Sequence, residues 1–322
     1  MKKLLAGAAI ALAALTTQAA ADAHANYPDR PVMMVVSYGA GGATDFQARI
    51  VTMTAGNKDA LGMPIAILNK PGAGGRVGWN WLAGQAEADG YTLGAYNVPH
   101  FIAQGIKGGV KYDADTFEPI ANWGADPAVV IVGKDSKFGS MADLIAYAKE
   151  NPGKTTTSGA GLFVGHHIAA LQIEKACECK LAFIPTKGGG AAAMKAVIAG
   201  ETLAGINNLS DAARAASAGN VKILAVADLE RHAFLPDVPT LKEGGLDVDN
   251  ASVNFRGLMV PKGTPQDVID KLAAQVPKMF AHKRVTQKMK QTNSPVKIMD
   301  RAAVQAMWAE RKATLTDLLK GL

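Results

Sequence analysis

Short apolar runs alternate along the chain with stretches whose apolar residues recur at helical spacing. Runs rich in β-branched residues predict strands at residues 32–37, 64–68 and 91–96. Between the first two runs, Phe46, Ile50 and Met53 follow the period of a helix. Such alternation is typical of α/β proteins with largely parallel strands.

A second series of alternating segments begins near Asp126. It predicts strands at residues 129–132, 155–157, 181–184, 203–206, 221–227 and 252–260. Within this series, Ser140-x-x-Asp143 has the form of a capping box and predicts a helix that ends before Pro152. Helical patterns then continue to the C-terminus.

The absence of a short repeat or a low-complexity linker favours two lobes joined by more than one crossing. We place the crossings near residues 122–126 and 248–255. Lobe 1 then comprises residues 22–125 and 249–322, and lobe 2 comprises residues 126–248.

The first residues have the pattern of an export signal. Lys2 and Lys3 precede an uncharged, largely apolar run, and Ala19–Ala21 supply the small residues that a signal peptidase accepts. The run is shorter than the ~20 residues of a membrane-spanning helix, which disfavours an anchor. We therefore interpret residues 1–21 as a cleaved signal peptide, with the cut after Ala21 or Ala23.

Charge and length narrow the function classes. The 322 residues suit about two domains. The net charge is +6, or +4 without Lys2 and Lys3, and it is spread along the chain without a basic run. This pattern excludes a nucleic-acid interface and slightly favours small anions as ligands.

Cys177 and Cys179, the two cysteines, form a Cys-Glu-Cys sequence. An exported protein permits a disulfide between them, although a ring over one intervening residue requires unusual geometry. A strained disulfide and two inert thiols both remain open. A zinc site lacks further ligands at a suitable spacing.

Glycine-rich loops follow at least four of the predicted strands and precede helices, at residues 39–43, 69–75, 158–161 and 187–190. Helix starts present free N–H groups and a positive dipole end, and glycine lets a ligand approach them. Such loops gather at the carboxyl ends of parallel strands. Two facing lobes would therefore line a cleft suited to a carboxylate.

Each candidate residue also has a simpler interpretation. Gly39, Gly41 and Gly42 could serve only a tight turn. Asp45 is expected to complement the helix dipole and to pair with Arg49. Lys187 could be an ordinary solvated lysine or a charge partner for an anion.

Catalytic motifs are poorly represented. Gly72-x-Gly74-x-x-x-Gly78 resembles a dinucleotide fingerprint, but residues 69–71 separate it from its strand and no acid follows to hold a ribose. The adjacent His166 and His167 point apart, so they do not form a metal pair, and one of them is expected at the surface. We predict no catalytic residue, no cofactor and no metal site.

Seven motifs span the mature chain, namely residues 27–31, Gly41-Gly42-x-x-Asp45-x-x-x-Arg49, residues 69–75, residues 89–93, Pro185-x-Lys187-Gly188, residues 235–240 and Pro261-x-Gly263-Thr264-Pro265. Together they resemble the periplasmic solute-binding proteins of tripartite tricarboxylate transporters, the Bug (TctC) family. The resemblance implies a two-lobed Venus-flytrap fold in the periplasm, with parallel-rich sheets flanked by helices. It also implies a small organic carboxylate as ligand and a membrane permease as partner, and we expect a monomer.

Residue by residue, the resemblance assigns one end of the ligand to lobe 1 and the other end to lobe 2. The lobe 1 residues are Tyr38, Gly41, Gly42, Ala43, Asp45, Pro71, Gly72, Ala73 and Gly74. The lobe 2 residues are Thr157, Ser158, Gly159, Lys187 and Asn207. Ser37-Tyr38 replaces the family's usual Pro-Phe, and Thr186 replaces its usual Tyr. Both positions lie beside the expected pocket and therefore favour a less usual ligand. The alternative functions are an exported α/β enzyme that acts on a small anion in the same cleft and a ligand-sensing subunit.

Overall fold

Two five-stranded sheets, each placed between layers of helices, form the protein in the computed structural model, which describes residues 24–321. The interpreted signal peptide, residues 1–21, and the two alanines after which we expect cleavage, Ala21 and Ala23, lie outside the described residues. Within residues 24–321, no helix is both long enough and apolar enough to cross a bilayer.

The first sheet contains strands from both ends of the chain. Its strands are β1 (Val32–Val36), β2 (Ile65–Asn69), β3 (Thr92–Val98), β4 (Phe117–Asp126) and β10 (Asn254–Pro261), in the order β2-β1-β3-β10-β4. The second sheet consists of β5 (Ala128–Gly133), β6 (Thr155–Gly159), β7 (Leu181–Pro185), β8 (Ala204–Asn208) and β9 (Val221–Ala227), in the order β7-β6-β8-β5-β9.

Helices connect most of these strands and cover both faces of each sheet. They are α1 (Ala43–Val51), α2 (Arg76–Gln85) after a 3₁₀ turn at Ala73–Gly75, α3 (His100–Lys107), α4 (Met141–Glu150), α5 (Gly165–Cys177), α6 (Gly189–Ile198), α7 (Leu209–Ser217), α8 (Gln266–Ala281), α9 (Lys283–Gln291) and α10 (Arg301–Leu318). Helix α3 and strand β4 are elements that the sequence pattern did not indicate.

The α/β prediction with two units of sheet and helix is confirmed, and four of the five strands in each sheet run in the same direction, with one reversed strand that makes the sheet mixed. In the first sheet, β1 is parallel to β2 and β3, whereas β10 is antiparallel to β3 and β4. In the second, β6 is parallel to β7 and β8, whereas β5 is antiparallel to β8 and β9. Each sheet thus has one reversed strand, β10 between β3 and β4 in the first and β5 between β8 and β9 in the second.

Alternating side chains on buried strands build a core on both faces of each sheet. On β1, Met34 and Val36 pack towards α1, α8 and α9, while Val35 packs on the opposite face with Trp79 of α2 and Trp308 of α10. The second sheet is covered in the same way, by α4 and α5 on one face and by α6 and α7 on the other. Strands buried on both faces explain the continuous apolar runs of the sequence.

The predicted capping box is confirmed at the start of α4. The Ser140 hydroxyl accepts from the Asp143 N–H at 3.2 Å, and the Asp143 carboxylate accepts from the Ser140 N–H at 2.9 Å. The helix ends at Glu150, before Pro152 as predicted. At the end of α5, Cys177 and Cys179 form a disulfide, which decides between the two states that the sequence left open.

Candidate functional site

A cavity of about 220 Å³ lies between the two sheets, where loops from both meet. It is larger than the room that one water needs, about 10–15 Å³, and smaller than drug-sized sites of about 300 Å³ or more, so it suits a small ligand. Seven of the predicted residues line it, namely Tyr38, Gly42, Ala43, Pro71, Gly72, Gly74 and Lys187.

Six helices begin at this cavity. The lining contains the N-cap residues or first-turn residues of α1, α2, α3, α5, α6 and α7, among them Thr44, Gly75, His100, His166, Gly189 and Asn208. All six therefore place positive dipole ends near one volume, although the first N–H groups of two helices already have protein acceptors. In α2 these acceptors are the carbonyls of Gly72 and Ala73, and in α7 they are the Pro127 carbonyl and the Asp126 carboxylate. This convergence favours an anion as the guest.

Tyr38 forms one wall of the cavity. Its hydroxyl donates to the Gly74 carbonyl at 3.0 Å, so the partly buried phenol has the polar partner that its position requires. Its ring meets Trp79 and His100 edge to face. Burial raises the pKa of Tyr38 well above its usual value, so the phenol is neutral at physiological pH.

Asp45 lies behind the first glycine loop and does not line the cavity. Its carboxylate accepts from the Gly41 N–H at 2.8 Å, from Arg49 Nε at 3.1 Å and from Asn69 Nδ2 at 2.9 Å. Burial raises the pKa of Asp45, but these donors outweigh burial and lower it overall. The expected pairing with Arg49 is confirmed, and Asp45 joins the two glycine loops of the first sheet.

Asp45→Asn is expected to reduce the free energy of unfolding at pH 7 by about 1–3 kcal/mol, because hydrogen bonds to a charged acceptor are lost. Since the folded-state pKa is lowered, the wild-type contribution is complete above the unfolded-state pKa of about 3.9 and is lost as the pH falls through the folded-state value. Urea unfolding at pH 7 and in acid measures both effects. Unchanged stability with a large loss of ligand affinity would contradict this structural role.

The lining contains two charged side chains, Lys187 and Asp211, and they differ in whether they have an ion-pair partner. It is exposed at the start of α6, and no carboxylate among residues 24–321 forms an ion pair with it. Asp211, the acidic residue of the lining, pairs with Arg214, and burial raises its pKa despite that cation. The lining therefore offers one uncompensated positive charge.

The other lobe 2 residues that the resemblance named lie around the cavity without lining it. The Ser158 hydroxyl donates to the Ala193 carbonyl at 3.0 Å, and Asn207 Nδ2 donates to the Gly190 carbonyl at 2.8 Å, so both hold the start of α6. The Gly159 carbonyl accepts from the Thr186 N–H at 2.9 Å. Thr157 lies at an apolar pocket between the second sheet and α4, which Met141 also lines.

Gly41 and Ala73 also lie off the lining. The Gly41 N–H is taken by Asp45, and both residues are exposed. The remaining predicted loop residues contact the cavity directly. The resemblance thus named loops that border the cavity, whereas the orientation of each residue within its loop decides whether that residue lines it.

Several lining residues were missed by sequence reasoning, namely Thr44, Asn97, His100, His166, Asn208, Asp211 and Asn254. Of the adjacent histidines, His166 is buried and His167 is half-buried. Nδ1 of His166 accepts from the Ala160 N–H at 3.1 Å, so its neutral ring carries hydrogen on Nε2. Burial lowers the pKa of His166 to about 4, which keeps the ring neutral. Asn97 and His100 follow the rule that ligands bind at the carboxyl ends of strands, and that rule could have found them.

Three asparagines form a hydrogen-bonded row along the floor of the cavity. Asn97 Nδ2 donates to Asn254 Oδ1 at 3.1 Å, and Asn254 Nδ2 donates to Asn208 Oδ1 at 3.2 Å. Asn97 and Asn254 belong to the first sheet and Asn208 caps α7 beside the second. The row therefore connects the two halves directly beneath the guest position.

A buried ion pair lies below this row. Arg256 Nη1 donates to Asp126 Oδ2 at 2.6 Å, and both side chains are fully buried. Asp126 also accepts from the backbone N–H of Ser210 at 3.0 Å and from its hydroxyl at 2.5 Å. Because Ser210 belongs to α7, this pair fastens the second half of the site to the first.

Comparisons with known proteins agree with this geometry. The family model described as "Tripartite tricarboxylate transporter family receptor" matches residues 48–320. Protein BugT of Bordetella pertussis is 31% identical over 292 residues, which cover 89% of this chain and 87% of BugT. Among curated relatives, a protein encoded in the tcbD–tcbE intergenic region of Pseudomonas sp. (strain P51) is 31% identical over 291 residues, covering 90% of this chain and 85% of that protein.

Solved structures show the same fold. The periplasmic binding protein BugD superposes with a TM-score of 0.81 at 29% identity, covering 91% of this chain and 98% of BugD. MatC from Rhodopseudomonas palustris, solved with bound malate, superposes with a TM-score of 0.82 at 25% identity, covering 91% of this chain and all of MatC.

Proposed function

This chain belongs to the tripartite tricarboxylate transporter receptor family, and on that premise we propose that it captures a small organic carboxylate and presents it to a membrane permease. Proteins of this family are periplasmic solute-binding proteins and not enzymes. The chain accordingly has a binding role and no catalytic step. Cleavage of residues 1–21 on export, after Ala21 or Ala23, and function as a monomer are parts of the same proposal.

The observation that carries the proposal is the combination of converging helix starts and an unpaired lysine. Six helices begin at the cavity, and Lys187 adds a positive charge with no carboxylate partner in residues 24–321. A carboxylate is the common metabolite group that satisfies both N–H donors and a lysine. MatC, a relative at 25% identity, was solved with malate, which supports this ligand class.

We propose that binding closes two lobes over the guest, with residues 22–125 and 249–322 as one lobe and residues 126–248 as the other. The cavity walls come from both: a Cβ atom added to Gly189 of α6 would lie 3.8 Å from Cδ1 of Tyr38. A guest that contacts both lobes stabilises the closed form by its differential affinity for it. The loop residues Gly42, Ala43, Pro71 and Gly72 would meet one end of the guest and Lys187 the other.

Calorimetric titration with di- and tricarboxylates, aromatic acids and acidic amino acids tests the ligand class. We expect at least one of these acids to bind and to be recovered unchanged after prolonged incubation. Native mass spectrometry of protein purified from its host would identify the acid that copurifies. Turnover of the bound acid, or no binding across all these classes, would contradict the proposal.

Lys187→Gln is expected to weaken acid binding by about tenfold or more, because a charge-assisted hydrogen bond contributes about 1.5–3 kcal/mol. The loss should shrink at high salt, which screens the exposed lysine. Lys195→Gln is the matched control, since Lys195 is exposed on the same helix but off the lining. Equal affinities of the two variants would show that Lys187 is an ordinary solvated lysine.

A further inference from the structure

The hydroxyl of Thr44 has a fixed direction in which it can donate. Thr44 is the second residue of α1, is buried and lines the cavity. Its Oγ1 accepts from Asn97 Nδ2 at 2.9 Å and from Arg256 Nε at 3.2 Å. A hydroxyl has two acceptor lone pairs and one hydrogen, so both lone pairs are occupied and the hydrogen must point away from both donors. No acceptor among residues 24–321 receives it.

Asn97, beside Thr44, has the complementary deficit. Its amide nitrogen donates to Thr44 and to Asn254, so both of its hydrogens are used. Its Oδ1 is buried and has no hydrogen-bond partner in residues 24–321. A buried acceptor without a partner is unfavourable until a ligand or water donates to it. The cavity floor thus carries a free donor, the Thr44 hydroxyl, and a free acceptor, Asn97 Oδ1, on two residues that are hydrogen-bonded to each other.

We infer that Thr44 and Asn97 form a subsite for a hydroxyl group of the guest, in which Thr44 donates to the hydroxyl oxygen and Asn97 Oδ1 accepts its hydrogen. This inference rests on the proposed function and narrows its ligand class to carboxylates that carry a hydroxyl. A hydroxyl both donates and accepts, so it satisfies both free groups at once.

Two other groups fit the subsite less well. A carboxylate only accepts and would place its oxygen against Asn97 Oδ1, so it belongs at the glycine loops instead. An ammonium only donates, so it leaves the Thr44 hydrogen without an acceptor. It would also lie near the guanidinium of Arg256, whose Nε is 3.2 Å from Thr44 Oγ1. A neutral hydroxyl has none of these unfavourable contacts.

Matched acids that differ by one group test the inference on the unaltered protein. Calorimetry compares L-malate with succinate, citrate with tricarballylate and L-lactate with propionate, and it adds L-aspartate as the amino analogue of malate. For the pair that binds best, we expect the hydroxy acid to bind about tenfold tighter or more than its deoxy partner, since the partner leaves two buried polar groups unpaired. L-aspartate should not recover this advantage.

Variants then assign the preference to Thr44. Thr44→Val should reduce the ratio of hydroxy to deoxy affinity to near one, and Thr44→Ser should retain it. Thr54→Val is the matched control, because Thr54 is a buried threonine with an unpartnered hydroxyl in the same half of the chain, off the lining. Melting of the unliganded variants reports folding, and the wild-type comparison decides the inference even when Thr44→Val does not fold.

The outcomes separate this inference from the proposed function. Equal affinities for hydroxy and deoxy acids, or tighter binding of L-aspartate than of L-malate, overturn the hydroxyl subsite while the carboxylate function stands. A preference that survives in folded Thr44→Val overturns the role of Thr44. If the wild type binds no acid of the panel, the proposed function fails and this inference fails with it.

Discussion

Gly74→Leu is expected to weaken acid binding by about a hundredfold, the upper end of the ~1–3 kcal/mol that overpacking costs. Gly74 has a φ of +68° and lies where the two halves meet. A Cβ there would be 3.2 Å from Gln104 Nε2 in the first half and 3.3 Å from Val164 Cγ1 in the second. A leucine side chain therefore holds the halves apart and also fills part of the cavity.

Gly41→Leu is the matched control for this prediction. Gly41 has the same left-handed backbone, with a φ of +81°, but a Cβ there meets nothing within 4 Å and the residue is off the lining. Both variants bear the same kind of backbone strain, about 1–2 kcal/mol. Both should lose stability to a similar extent in urea unfolding, whereas calorimetry should show near-normal affinity for Gly41→Leu only.

Equal affinity loss in the two variants would mean that strain in the glycine loops, and not contact between the halves, limits binding. The two variants can test these explanations because Gly74 lies between the two halves and Gly41 does not, although the sequence patterns around both glycines are alike. Both follow strands, both lie in glycine-rich loops and both were assigned to the ligand by resemblance. The direction in which each loop residue faces depends on packing between distant segments.

Local patterns predicted much of the fold because they have local causes. The capping box at Ser140 and Asp143 requires only residues within one helical turn, and the strand at residues 221–227 matches β9 at both ends. Strand direction, in contrast, is set by contacts between distant segments. Whether β10 runs parallel or antiparallel depends on β3 and β4, which lie more than 120 residues earlier, so no local pattern indicates it.

The site was predictable at the level of loops and not at the level of individual side chains. Asn207 and Asn208 are adjacent at the end of β8, and only Asn208 lines the cavity. Successive strand residues point to opposite faces, so a shift of one residue exchanges a lining role for a supporting one. His166 was missed for a related reason, since the burial of a helical histidine depends on what covers that face.

Asp126→Leu is expected to reduce the free energy of unfolding by about 3–5 kcal/mol, the largest stability effect we predict, because it leaves Arg256 charged and buried without its partner. Asp126 and Arg256 are both fully buried, with Nη1 and Oδ2 2.6 Å apart. The double variant Asp126→Leu/Arg256→Met removes both charges and should recover most of the loss. Urea unfolding of the two single variants and the double variant measures the coupling.

The recovered double variant should nevertheless bind acids less tightly than the wild type. Asp126 accepts two hydrogen bonds from Ser210, and Ser210 lies in the first turn of α7, which presents Asn208 and Asp211 to the cavity. Arg256 donates to Thr44 on the cavity floor. Apolar replacements restore the core but release both contacts, so stability and affinity should separate in this variant. If the double variant loses as much stability as the two single variants together, the two charges are not coupled and the predicted stability effect is wrong. If the double variant binds acids as tightly as the wild type, the ion pair supports only the core and not the site above it.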